Sequence, residues 1–172
     1  MLTLPIPDKI LKSIYDLTPK NLSDMGITLL LMDLDNTLAK YHAVSPSVSL
    51  RNWIDAMKKA GIEPLIFSNT RGRGAEIFGK TLSVEYVNHA KKPNTEVLLE
   101  LLHKKGIIPE NAAIIGDQIY TDILCGTRAG ITTIAIRPIA MSNPFHLIRY
   151  GVEMPFRYAY IRRLSKSRKK EQ

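Results

Sequence analysis

The segment Leu29-Leu30-Leu31-Met32-Asp33-Leu34-Asp35-Asn36-Thr37-Leu38 constrains this chain more than any other. An apolar run stops abruptly at two carboxylates spaced i and i+2, followed by Asn and Thr. A short run of large apolar residues reads as a strand buried on both faces, the pattern of a parallel sheet. A carboxylate at the end of such a strand is costly to bury unless a cation or hydrogen bonds balance it. Two carboxylates strengthen the case for a cation. In open α/β sheets, ligands bind beyond the carboxyl ends of the strands. Taken alone, the segment also reads as a plain strand-to-turn boundary, with Asp, Asn and Thr serving only as turn formers.

Three further stretches weigh against the plainer reading. A second run, Pro64-Leu65-Ile66-Phe67, ends in Ser68-Asn69-Thr70. A lysine pair lies in His89-Ala90-Lys91-Lys92-Pro93. A last run, Ala112-Ala113-Ile114-Ile115, ends in Gly116-Asp117-Gln118-Ile119-Tyr120-Thr121-Asp122. A carboxylate nucleophile acting on a phosphoryl group needs a metal, a hydroxyl donor, a cation and further metal-binding carboxylates. Residues suited to each task occur in one order, at one presumed edge of a sheet.

The order DxDxT, strand-Ser, Lys-Pro, GDxxxxD resembles the haloacid dehalogenase (HAD) superfamily of phosphohydrolases. Asp33-Leu34-Asp35-Asn36-Thr37-Leu38, Phe67-Ser68-Asn69, Lys92-Pro93, Gly116-Asp117-Gln118 with Thr121-Asp122, and Arg128-Ala129-Gly130 resemble its subclass IIIA, within it the YqeG-type family. That family is similar to the mitochondrial phosphatidylglycerophosphate phosphatase. The resemblance spans residues 10 to 140. It implies an α/β fold: a Rossmann-like HAD core, a parallel sheet flanked by helices.

The resemblance also implies roles. Asp33 is the nucleophile that becomes an aspartyl-phosphate and ligates Mg²⁺. Asp35 is the acid/base, its carbonyl a further metal ligand, and Asp117 completes the oxygen shell expected of a hard cation. Ser68 donates to a phosphoryl oxygen. Lys92, the lysine directly before Pro, neutralises nucleophile and phosphate, with Lys91 as its competitor. Thr37, Gln118, Thr121 and Asp122 support the site from behind. Asn69, Arg71, Arg73 and Arg128 are candidates to hold phosphate or substrate. The Gly- and Arg-rich stretch 69–75 departs from the family pattern. His42, His89, His103 and His146 have no ligand spacing.

Spacing argues against a cap domain. Only 30 residues separate Thr37 from Ser68, and 23 separate Ser68 from Lys92. Core helices and strands consume them, so an open site is expected, suited to a large or surface-fixed substrate. The predicted elements are a helix at 8–17 broken by Thr18-Pro19, strands at 27–33, 63–67, 84–87, 112–116 and 131–136, and helices at 47–60, 72–80, 93–105 and 120–129. Residues 1–140 form the expected core with its N-terminal helix. Residues 141–172 form an aromatic and basic extension with a flexible tail.

The chain has 172 residues and a net charge of +8, of which residues 157–172 carry +6: seven Lys or Arg against Glu171. The body is therefore nearly neutral, and the basicity belongs to the tail. Such a tail is solvated, or binds an acidic membrane surface or RNA. The single Cys125 can form no internal disulfide, which suits a reducing compartment. No apolar run approaches the roughly 20 residues of a membrane span, and the N-terminus lacks signal-peptide features. The expected setting is cytoplasmic, with peripheral contact at the inner membrane surface if the tail binds lipid. The expected activity is Mg²⁺-dependent phosphomonoester hydrolysis, with phosphatidylglycerophosphate as first substrate. The alternatives are a soluble sugar- or nucleotide-phosphate phosphatase and an RNA- or ribosome-associated protein of the same fold.

Overall fold

The computed structural model describes residues 4–140 and 144–168. Six strands form one sheet: β1 (Lys9–Leu11), β2 (Leu29–Met32), β3 (Glu63–Phe67), β4 (Glu85–Val87), β5 (Ala112–Gly116) and β6 (Thr132–Ile136). Their order is β1-β6-β5-β2-β3-β4, and every pairing is parallel. The helices are α1 (Pro19–Asp24), α2 (Val48–Lys59), α3 (Gly74–Leu82), α4 (Glu96–Lys105), α5 (Leu124–Ala129) and α6 (Pro144–Arg168). This is the expected Rossmann-like core, with no inserted cap domain among the described residues.

Central strand β2 explains the uninterrupted apolar run. Leu29 to Met32 are all 0 % exposed, because side chains alternate between two covered faces. Leu30 and Met32 join the larger core beneath α2 and α3, with Leu50, Trp53, Ile54 and Phe78. Leu29 and Leu31 join the core on the α4 and α5 side, with Leu98, Leu102 and Cys125. Leu31 sits in register with Leu65 on β3 and Ile114 on β5. Neighbouring strands lie about 4.8 Å apart. The residues that follow β3, β2 and β5 are therefore neighbours across the sheet edge: Ser68, Asp33 and Asp117.

Local signals set most boundaries. Ser47 caps α2 by accepting from the Leu50 N–H, and Gly106 ends α4 in the left-handed region. Helix α4 starts at Glu96, after a turn at Lys92 and Pro93, three residues later than expected. The helix expected at 120–129 opens instead with one wide turn over Ile119–Ile123 before α5.

The N-terminal helix expected at 8–17 is not formed. Lys9–Leu11 instead add a parallel edge strand to β6, anchored where the Asp8 carboxylate accepts from the Thr133 N–H and hydroxyl. Ser13 and Asp16 then cap a single 3₁₀ turn. The expected break at Thr18-Pro19 is in fact a helix start: Thr18 and Asn21 form a reciprocal cap, and Pro19 occupies the first turn, where no N–H is needed. Periodicity over ten residues could not separate a helix from an edge strand whose partner lies 125 residues away.

The C-terminal extension forms the 25-residue α6 through Arg168; residues 169–172, and the side chain of Phe145, lie outside the described residues. Phe156 packs edge-on against Tyr120. Leu147 and Ile148 are exposed, not packed on the core. Replacing Leu31 by Ala should cost about 2–5 kcal/mol, the usual range for a fully buried Leu. Urea unfolding followed by the fluorescence of buried Trp53, the sole tryptophan, measures the loss.

Candidate active site

Lys92 organises the strand ends. Its ammonium donates to Asp33 Oδ1 at 2.8 Å and to the Phe67 carbonyl at 2.7 Å, and pairs with Asp122 Oδ1 at 2.6 Å. The ammonium thus makes two hydrogen bonds and one further ion pair in a buried setting. Burial favours the neutral amine, but Asp122 and Asp33 more than reverse this and hold Lys92 protonated. The Asn69 amide positions the lysine from behind, donating to the Lys92 carbonyl and accepting its N–H, both at 2.8 Å. Lys91 is exposed.

Asp33 keeps a second oxygen, Oδ2, which is buried and has no hydrogen-bond partner among the described residues. Carboxylate oxygens of Asp33, Asp117 and Asp122 all lie within 4.8 Å of one another. Asp122 enters this group because Gly116 has no side chain: a Cβ there would collide with the Asp122 carboxylate. Asp122 is also tied to the Gln118 N–H at 3.2 Å. Burial, then the charges of Asp33 and Asp122, push the Asp117 carboxyl up to about 8. Its hydrogen bonds to Thr37 Oγ1 and Asn36 Nδ2 are long, 3.5 Å each. Three buried carboxylates whose oxygens crowd this closely fit a hard divalent cation.

Asp35 stands apart from this carboxylate group. It is half-buried, and burial followed by Asp33 raises its pKa. Ser68 is buried and accepts from the Thr70 N–H at 3.2 Å, which leaves its own proton to donate. Thr37 accepts from the Asp117 N–H at 3.1 Å. Asn36 adopts a left-handed conformation (φ 65°), and its amide exchanges two 2.8 Å hydrogen bonds with the Ala140 backbone. Thr121 donates to Gln118 Oε1 instead of capping α5.

Several predicted substrate contacts are not brought to the carboxylates. Asn69 spends its amide on Lys92. Arg73 pairs with Glu76 at 3.1 Å and is 79 % exposed. Arg71 is exposed. Arg128 donates to the Pro93 carbonyl at 3.4 Å and is exposed. His42, His89 and His103 are exposed as well.

The sequence reading missed the inner face of α6. Arg149 reaches Asp117 Oδ2 at 3.1 Å and also hydrogen-bonds Tyr41. Buried Arg157 donates to the Asp117 carbonyl at 2.9 Å and to the Ile136 carbonyl at 3.2 Å. Buried Glu153 accepts from the Ile119 N–H at 3.0 Å. The site therefore has cover on the Asp117 side from a helix late in the chain. The signal was present in the spacing: Arg149, Glu153 and Arg157 recur every four residues, one charged stripe among uncharged residues.

Comparisons with known proteins bear on the family and the fold. The HAD-hydrolase-like family model matches residues 89–138. The probable phosphatase YqeG of Bacillus subtilis is 32 % identical over 140 residues, covering 81 % of each chain. The chloroplastic phosphatidylglycerophosphate phosphatase 1 of Chlamydomonas reinhardtii is 25 % identical over 156 residues, covering 85 % of this chain and 58 % of that one. Among solved structures, a putative 3-deoxy-D-manno-octulosonate 8-phosphate phosphatase from Vibrio cholerae superposes with a TM-score of 0.55 at 19 % identity, covering 75 % of each chain. The corresponding phosphatase from Moraxella catarrhalis, in complex with magnesium and phosphate ions, gives 0.50 at 19 % identity, covering 67 % of this chain and 81 % of that one. The chain belongs to the YqeG-type family of HAD phosphatases, a class of phosphoric monoester hydrolases.

The raised pKa of Asp117 has a testable consequence. A folded-state value of about 8, against 3.8 for the free group, means that the folded protein holds this proton more tightly than the unfolded chain. That stability is fully present below about pH 4 and is lost as pH rises through 8. In EDTA, Asp117→Asn should therefore gain on the wild type in thermal melts as pH rises from about 4 to 8. Excess Mg²⁺ at pH 8 should raise the melting temperature of the wild type much more than that of the variant.

Proposed function

We propose that the chain hydrolyses phosphoric monoesters through an aspartyl-phosphate on Asp33, with Mg²⁺ held by Asp33, the Asp35 carbonyl and Asp117. One observation carries this reading. Asp33 has one oxygen fixed by Lys92 and the other buried with no hydrogen-bond partner among the described residues, and its carboxylate lies within 4.8 Å of that of Asp117. A fixed carboxylate with one uncommitted oxygen is what an in-line attack on phosphorus requires. Asp33 Oδ2 bonds to phosphorus as the ester P–O bond breaks, and Asp35 gives its proton to the leaving alkoxide. Asp35 then takes a proton from the water that attacks phosphorus, releasing phosphate and restoring the Asp33 carboxylate. The upward shift at Asp35 suits a group that must begin protonated. Ser68 donates to a phosphoryl oxygen, and Lys92 offsets the charge that gathers at Asp33. When bound, the cation supplies positive charge that draws the phosphate dianion onto an otherwise acidic site.

Phosphatidylglycerophosphate is the substrate this reading favours. The chloroplastic relative bears that activity in its name. The outer face of α6 exposes Leu147, Ile148, Val152 and Tyr158, with Ile148 66 % exposed, and Arg162 and Arg163 follow on the same helix. Apolar side chains beside basic ones suit the interface of an anionic membrane. Among the described residues no helix is long and apolar enough to cross a membrane. A panel with phosphatidylglycerophosphate in mixed micelles beside soluble sugar and nucleotide phosphates tests the choice. Faster turnover of a soluble ester transfers the assignment to that ester.

Asp33→Asn should lower turnover by about three decades or more while the protein stays folded, since it removes nucleophile and metal ligand together. Activity should vanish in EDTA, return with Mg²⁺ and return less well with the larger Ca²⁺. Full activity in EDTA, or wild-type rates from the Asn variant, contradicts the mechanism.

The basic tail divides into two parts. Arg157 is structural, buried against Asp117 and Ile136, so a truncation must spare it. Deleting residues 166–172 removes Lys166, Arg168, Lys169 and Lys170 and leaves that contact intact. Affinity for anionic vesicles should then fall by up to about 1 kcal/mol per basic residue, with hydrolysis of a soluble ester unchanged. Co-sedimentation at low and moderate salt measures this. Loss of RNA binding instead would favour the nucleic-acid reading.

A further inference from the structure

Resting on the reading of Asp33 and Asp117 just given, we propose that Arg149 of α6 is a substrate-phosphate-binding residue, parked on Asp117 in the ligand-free state and handed over to the phosphate once a divalent cation claims that carboxylate. Four observations support it. The Arg149 guanidinium lies at the acidic cluster, 3.1 Å from Asp117 Oδ2, and its side chain is only 21 % exposed. Its Nε is buried, a donor without a hydrogen-bond partner among the described residues. Tyr41, from the loop after β2, holds the same guanidinium and so limits its reach to the neighbourhood of the site. Finally, the helix beneath it is fixed independently, by Glu153 to the Ile119 N–H and by Arg157 to the Asp117 and Ile136 carbonyls.

Charge makes the hand-over directional. Three carboxylates, Asp33, Asp117 and Asp122, face two cations, Lys92 and Arg149. Without a metal, Arg149 is the side chain that rests on the Asp117 carboxyl. A divalent cation on Asp117 takes that place, repels the guanidinium and leaves it next to the position of an incoming phosphate. Arg is well suited to the second state, because its fork of N–H donors matches two phosphate oxygens. Lys92 cannot serve in the same way, since its buried ammonium is already held by Asp33, Asp122 and the Phe67 carbonyl. Arg149 would thus weaken cation binding and strengthen phosphate binding, two effects of opposite sign from one side chain.

The test uses the full chain with Arg149→Ala and Arg149→Lys, and with Asp117→Asn as reference. Calorimetry measures Mg²⁺ affinity after EDTA stripping, then the affinity for inorganic phosphate at saturating Mg²⁺. Arg149→Ala should bind Mg²⁺ several-fold more tightly and phosphate roughly tenfold to hundredfold more weakly, the range for losing a charge-assisted hydrogen bond. For a small phosphomonoester its KM should rise more than its kcat falls. Arg149→Lys, which keeps the charge and most of the stem, should leave Mg²⁺ affinity near wild type and lose part of the phosphate affinity. That variant decides the matter if the Ala variant does not fold. Weaker binding of both ligands would mark Arg149 as merely structural and overturn the proposal. Tighter Mg²⁺ with unchanged phosphate would make it a plug and also overturn it. If Asp117→Asn binds Mg²⁺ like the wild type, the metal-site reading itself fails. If that variant binds weakly while Arg149→Ala changes neither affinity, only the Arg149 assignment is lost.

Discussion

The ion triad of Asp33, Lys92 and Asp122 is the interaction on which the rest of the site depends. A lysine this deeply buried is tolerated only when its charge is met, and here two carboxylates and a carbonyl meet it. Neutralising Asp33 would leave Lys92 to Asp122 and the Phe67 carbonyl, which still hold its charge. The triad also joins three parts of the chain. Asp33 ends β2, Lys92 lies between β4 and α4, and Asp122 lies in the wide turn before α5. By fixing one oxygen of Asp33, it decides which oxygen remains for chemistry.

Small features in the backbone make that triad fit. Gly116 leaves the space that the Asp122 carboxylate fills. The wide turn over Ile119–Ile123 places Asp122 back against Gln118, where the Gln118 N–H steadies it. Asn69 holds the Lys92 backbone in both directions. None of these groups needs to touch substrate, yet each governs where a reacting group sits. The same holds for Asn36, whose amide clamps Ala140 and so sets the path by which the chain leaves β6 toward α6.

Helix α6 gives one element two faces with different tasks. Its inner stripe of Arg149, Glu153 and Arg157 ties into the strand ends around Asp117. Its outer face shows apolar and then basic side chains to solvent. A surface that meets this outer face is one helix diameter, about 10 Å, from the carboxylates. This short path connects whatever the helix rests on with the chemistry beneath it.

The sequence by itself determined the parallel core and the acidic strand ends. Leu29 to Met32, Pro64 to Phe67 and Ala112 to Ile115 are apolar without alternation, and only strands covered on both faces ask for that. Polar residues directly after such strands must lie at the carboxyl edge, so Asp33, Ser68 and Asp117 were legible together. Lys92 was legible only through its motif, since nothing local tells it from Lys91. Tertiary structure decided what depends on distant partners. Lys9–Leu11 became a strand because β6 offered an open edge and Thr133 paired with Asp8. Asn69, read as a phosphate contact, turned to Lys92, and Arg73 turned to Glu76, because each found a nearer partner. Arg149 looked like part of the aromatic and basic extension, and Arg157 like part of the basic tail. Their place at Asp117 follows from the direction in which α6 crosses the sheet edge, and no periodicity within the helix encodes that direction.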